Sequence, residues 1–180
     1  AQSLALAPYF RPRSVVCHAC FDERYYVSAE EQWLDNSIET WRGLLPAAED
    51  ADTVICLENV YEREPLHLRR LLEAVASPRL RFCFDTGHFN ISSAAPLKSW
   101  IDEMAPWLSH VHLHDNGGTR DEHLPVGEGT FPFAEFFAHL RERSLRPILT
   151  VESHSERDLW RMLDNLDALR LLDGWEDDRS

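Results

Sequence analysis

No stretch of this 180-residue chain stays apolar for more than a few residues, so no segment is expected to cross a bilayer. It does not open on a basic leader followed by an apolar run, and no secretory signal peptide is expected. Basic residues are few: 18 Lys and Arg stand against 31 Asp and Glu, a formal net charge of −13. That balance disfavours non-specific attraction to nucleic acid or to an anionic membrane surface, both of which need clustered Lys and Arg. The seven glycines nowhere form GxGxxG or GxxxxGK, so no phosphate-cradling turn follows the first strand. Cys17 and Cys20 make one CxxC pair without a second pair or an HxxxH, so a structural zinc is not expected. Cys56 and Cys83 lie in apolar runs (VICLE, RFCFD) as small buried hydrophobes. Free thiols point to a reducing compartment, and a cytoplasmic location is expected.

What is present reads as one α/β domain over residues 1–180, with 44% apolar and 11% aromatic residues to build a core. Short β-rich runs, SVVCHA (14–19), TVICLEN (53–59), LRFCFDT (80–86), SHVHLHD (109–115) and PILTVES (147–153), alternate with amphipathic segments. The apolar stripes are Trp33, Ile38, Trp41, Leu44 and Leu45; Leu68, Leu71, Leu72 and Val75; Leu97, Trp100, Ile101 and Met104; and Leu159, Leu163, Leu166 and Leu169. Pro65, Pro96 and Pro132 fall where helices should begin. The strands are apolar on nearly every residue, as strands covered on both faces are, which predicts a parallel sheet with right-handed crossovers. An open doubly wound sheet and part of a closed barrel both fit. A full (β/α)8 barrel takes about 250 residues, so a barrel here is incomplete: about six of eight βα units, with the N-terminal two or three missing.

Polar residues fall at strand ends. Glu58, Asp85, His112 and Glu152 each close an apolar run, at intervals close to one βα repeat with one longer gap. Parallel strands align their carboxyl ends, so these four converge on one mouth. Three carboxylates and an imidazole brought together under partial burial call for a cation. Three oxygens and one nitrogen suit Mn²⁺, Mg²⁺ or Co²⁺, with Zn²⁺ also admissible. His18, at the end of the first run, and His88, in DTGH, crowd the same edge, as do Asp121 and His123 in the loop DNGGTRDEHLPVGEG.

The strings LEN (57–59), FDTGH (84–88), HLHD (112–115), DEHLPVGEG (121–129) and VES (151–153) resemble the xylose isomerase-like TIM-barrel superfamily. Within it they are most similar to the sugar phosphate isomerase/epimerase group, which also contains the endonuclease IV branch, and the match runs from about Ser14 to Leu172. The resemblance implies one divalent metal, most readily Mn²⁺, on Glu58, Asp85, His112 and Glu152. Glu58 and Glu152 then double as acid and base in proton transfer through an enediolate of a small sugar-like substrate. His18, His88, Asp121 and His123 become substrate-binding residues. The first run would be the third barrel strand and 146–153 the eighth, with the remaining strands supplied by a longer chain or by a partner.

Three alternatives stay open. An endonuclease IV-like phosphodiesterase would use His18, His88, Asp121 and His123 as extra metal ligands. Against it stand His114, Asn116 and Gly117 where that branch carries asparagine and a serine-lysine pair, and Glu122 where it carries arginine; no nucleic-acid partner is expected. An inosose-type dehydratase would use the same carboxylates, and a degenerate relative would bind sugar without turning it over. Homo-oligomerisation is left open. The substrate is not readable; Arg24 and Arg120 are candidate phosphate ligands, although lone loop arginines are usually solvated.

Overall fold

The computed structural model describes residues 2–175. Two short helical turns, α1 (Gln2–Ala5) and α2 (Ala7–Phe10), precede β1 (Ser14–His18). Then come α3 (Glu23–Tyr26), α4 (Glu30–Asp50), β2 (Val54–Glu58), α5 (Leu66–Val75), β3 (Leu80–Asp85), α6 (Thr86–Ser92), α7 (Leu97–Met104), β4 (Leu108–Leu113), α8 (Phe133–Glu142), β5 (Ile148–Val151) and α9 (Glu156–Ala168). All four strand pairings are parallel and the spatial order is β1-β2-β3-β4-β5. The order never reverses, so right-handed crossovers set the helices on one face and leave the other as an inner wall. This is an incomplete (β/α) barrel of the expected type.

Strand periodicity divides each strand between the two faces. Ile55 and Leu57 of β2, Phe82 and Phe84 of β3, and Val111 and Leu113 of β4 join the helices in the buried core. The alternate positions, Cys56 and Glu58, Cys83 and Asp85, His110 and His112, therefore face inward. The curl of the sheet shows at His110: its Nδ1 is 2.7 Å from Ser14 Oγ on β1 and its Nε2 is 2.8 Å from Thr150 Oγ1 on β5. Strands β1 and β4 are three places apart, so a flat sheet could not bring these atoms together. Burial, reinforced by the charge on His112, pushes His110 down to about 4 and keeps it neutral in this wall.

The helices follow the apolar stripes read from the sequence, with one exception. Leu68, Leu71, Leu72 and Val75 of α5 and Leu97, Trp100, Ile101 and Met104 of α7 are all buried. Pro65, Pro96 and Pro132 sit directly before α5, α7 and α8, where no helical hydrogen bond uses their missing amide. In α9 the buried residues are Met162 and Leu166, while Leu163 and Leu169 are exposed. This last helix docks along one narrow line, so the wider leucine stripe overstates its contact.

The strand count needs one correction. Among the described residues five strands are found, not six, and β4 is hydrogen-bonded directly to β5. Counting back from an eighth strand at β5 makes β1 the fourth barrel strand, not the third. The long segment between β4 and β5 forms the expected loop and then α8.

Candidate active site

Three carboxylates meet at a single nitrogen. Nδ1 of His112 lies 3.0 Å from Glu58 Oε1, 3.2 Å from Glu152 Oε2 and 3.6 Å from Asp85 Oδ2. An imidazole N–H can serve one acceptor well, so three anionic oxygens around it are held against mutual repulsion. Glu58 and Asp85 are buried and His112 nearly so, while Glu152, just beyond β5, is half open. Each of the four offers one ligand atom, and these atoms all lie within 4.8 Å of one another.

The electrostatics match a site built for positive charge. Burial opposes a charged His112, but the facing Asp85, the Cys83 thiol, Glu152 and Glu58 together hold its proton far above the ordinary histidine range. Burial would likewise raise Asp85, yet its bonds to His112 and His114 hold the carboxyl well below the usual range. The bond to His112 also lowers Glu152, against a smaller effect of burial. The imidazolium proton thus occupies the position a cation would take, and these residues fit a divalent metal once His112 is neutral.

The surrounding motif residues fix this geometry. The side-chain amide of Asn59 donates to Asp85 O at 3.0 Å and its carbonyl accepts from Asp85 N at 2.9 Å, locking the ends of β2 and β3 together. Thr86 Oγ1 donates to the carbonyl of His114 at 2.7 Å and ties β3 to β4. Asp85 Oδ1 caps α6 by accepting from His88 N at 2.7 Å. Asp115 is fully buried and takes no part in the cluster; its carboxylate accepts from the backbone N–H groups of Asn116, Gly127, Gly129 and Phe131 at 2.8–3.1 Å. It folds the GEG segment back on itself, and a Cβ at Gly129 would lie 2.4 Å from Asp115 Oδ1.

The other four expected site residues lie on the same rim. His18 Nε2 is 3.2 Å from Glu58 Oε2, and His18 is half exposed. His88 Nδ1 is 3.5 Å from both Glu58 Oε1 and Asp85 Oδ1. Burial pulls His88 down, but Glu58, Asp85 and Asp121 outweigh it and raise it to about 9. Asp121 Oδ2 is 3.4 Å from His88 Nε2 and 3.2 Å from His123 Nε2.

Two further histidines enter: His114, noted in the sequence only as a departure from the nuclease pattern, and His154, which the sequence reading did not single out. His114 is fully buried with Nε2 on both oxygens of Asp85, and His154 stacks on His123, which stacks on His114, at centroid separations of 4.0 and 3.9 Å. The alternation His110, His112, His114 was the available signal, since period two puts all three on the inner face. His114, His123 and Glu152 form a second group of close ligand atoms. The rings of His114 and His123 are parallel to within 6°, so their in-plane lone pairs do not point at one ion in this arrangement.

Residues 5–174 match the family of xylose isomerase-like TIM barrels. The chain belongs to that family. It is similar to an uncharacterized protein of Methanocaldococcus jannaschii, MJ1311, with 30% identity over 151 residues, covering 80% of this chain and 52% of that one. It is also similar to the fructoselysine 3-epimerase of Escherichia coli O157:H7, with 31% identity over 109 residues, 61% of this chain and 37% of that protein. The crystal structure of a D-tagatose 3-epimerase-like protein superposes with a TM-score of 0.81 at 27% identity, over 96% of this chain and 67% of that one. The chain therefore spans about half the length, or less, of the curated relatives it matches. Among its described residues no helix of this family member is long and apolar enough to cross a membrane.

Proposed function

We propose that this chain carries the catalytic rim of a divalent-metal-dependent isomerase or epimerase acting on a small sugar-like substrate. The observation that carries the reading is the convergence of Glu58, Asp85 and Glu152 on His112 Nδ1. The two relatives that act as, or are likened to, sugar 3-epimerases support it. Glu58, Asp85, His112 and Glu152 would hold the ion, with Mn²⁺ first and Mg²⁺, Co²⁺ or Zn²⁺ as alternatives to its O₃N donor set. When bound, such an ion polarises a carbonyl and its neighbouring hydroxyl and acidifies the C–H bond between them.

The chain's own residues then move the proton. Glu58 arrives from β2 and Glu152 from beyond β5, on either side of His112, so a carbon held there has a carboxylate toward each face. Glu152, the carboxylate of the group most open to solvent, would serve as the base. One glutamate takes the proton and the other returns one, through an enediolate. His88, on the shared rim between Glu58, Asp85 and Asp121, would offer a ring N–H to a substrate oxygen. His18, Asp121 and His123 offer further partners for hydroxyl groups.

The test is solvent-deuterium incorporation at the carbon beside a ketose carbonyl, followed by NMR with Mn²⁺ present. Wild type is expected to exchange and Glu152→Gln to lose exchange by at least 100-fold. Full exchange in Glu152→Gln would remove the acid/base assignment.

A further inference from the structure

Beside the carboxylate cluster lies a cavity of about 620 Å³, within the range of small-molecule sites. His88 is its common wall with the cluster: one ring nitrogen faces Glu58 and Asp85, while the residue also lines the cavity together with Asp121. A substrate whose reacting carbon sits at the cluster and whose chain continues past His88 enters this space.

Three arginines from three separate segments line it: Arg24 in α3 after β1, Arg63 in the loop after β2 and Arg120 in the loop after β4. In a chain of net charge −13 this wall is locally balanced, three guanidinium groups against the carboxylates of Asp22, Glu23 and Asp121. Their existing partners differ. Arg24 holds Asp22 through Nε and Nη2 at 2.6–3.0 Å, leaving Nη1 free of that pair. Arg120 Nη2 reaches Glu122 at 3.3 Å. Arg63 has only Glu23 at 3.9 Å, and among the described residues its guanidinium makes no hydrogen bond. An arginine fork presents five donors in a plane matched to oxyanions, and Arg63 offers all of them. The acidic groups on the same wall are Asp22, which Arg24 neutralises, Glu23 and Asp121.

We propose that this cavity binds the oxyanion end, phosphate or carboxylate, of an open-chain ketose, with Arg63 as its principal ligand and Arg24 and Arg120 as supporting donors. The substrate class so defined, an acidic sugar, rests on the isomerase reading of the adjoining cluster.

The experiment measures binding by isothermal titration and, separately, solvent-deuterium exchange. It uses the Mn²⁺-loaded chain with D-fructose, D-fructose 6-phosphate and D-fructuronate. At least one acidic sugar is expected to bind tenfold or more tightly than D-fructose, and which one does so identifies the oxyanion. Arg63→Met is expected to bring that preference ratio close to one, Arg63→Lys to retain part of it, and Arg120→Met to reduce it less. The Arg63 side chain is 59% exposed, so its loss does not threaten the fold; an unchanged unfolding midpoint checks this. Equal binding of all three sugars by wild type, or an unaltered preference in Arg63→Met, overturns the proposal. Preference without deuterium exchange leaves the anion subsite standing and removes the isomerase reading. Exchange on D-fructose without preference does the reverse.

Discussion

Nε2 of His114 lies 2.9 and 3.0 Å from the two carboxylate oxygens of Asp85, and both residues are fully buried. Asp85 is thus gripped from behind by His114 while it faces His112. Such an outer partner sets the orientation of a ligating carboxylate. The ring has its place only because residue 87 is glycine: a Cβ there would stand 2.0 Å from His114 Cε1.

Replacing His114 with Gln should therefore weaken divalent-metal binding by about 10–100-fold while leaving the four ligands in place. Mn²⁺ titration followed by electron paramagnetic resonance reads this directly. Gly87→Ala, which displaces the His114 ring without removing it, is expected to weaken binding in the same direction. Unchanged Mn²⁺ affinity in both variants would mean that Asp85 needs no outer support.

Asp115 holds four backbone N–H groups of the segment that carries Asp121 and His123 over the site. Asp115→Ala leaves these amides without their acceptor and should cost about 3 kcal/mol or more. Denaturant unfolding measures the loss. Hydrogen exchange should show faster exchange at Gly127, Gly129 and Phe131, and slow exchange there would show that the loop is held by other contacts.

His67 gives a pH dependence away from the site. It is 7% exposed, and its ring lies 3.7 Å from that of Phe21, stacked. Burial lowers its pKa below the ordinary 6.5, so the folded chain binds this proton less well than the unfolded chain does. The contribution of neutral His67 is fully present above 6.5 and is lost as pH falls from there through the lowered folded value. Unfolding midpoints taken from about pH 7 to pH 5 should fall less steeply for His67→Leu than for wild type. Parallel curves would assign the acid sensitivity to other groups.

The strands were legible because each is a short apolar run ended by a polar residue, and Glu58, Asp85 and His112 stand where those runs close. The convergence of the four candidate ligands follows from parallel alignment, which a sequence reader can infer. The roles of Asn59, Thr86 and Asp115 were hidden, because their partners are backbone groups of distant strands and loops. His114 looked like a departure from a nuclease pattern; only packing reveals it as the support of Asp85. Five apolar runs were legible, and numbering the first as the third barrel strand assumed a sixth that no run supplied; the gap between β4 and β5 holds the loop folded on Asp115 and then α8.

The four candidate ligands come from β2, β3, β4 and the residue just after β5, in chain order. During synthesis Glu58, Asp85 and His112 emerge first, and the pocket stays one donor short until the β5 segment has left the ribosome and paired with β4. Parallel pairings of this kind are long-range and slow to form. Under the proposed function, ion capture would be a late event in biogenesis, and a nascent chain stalled before Ile148 is expected to hold metal only weakly.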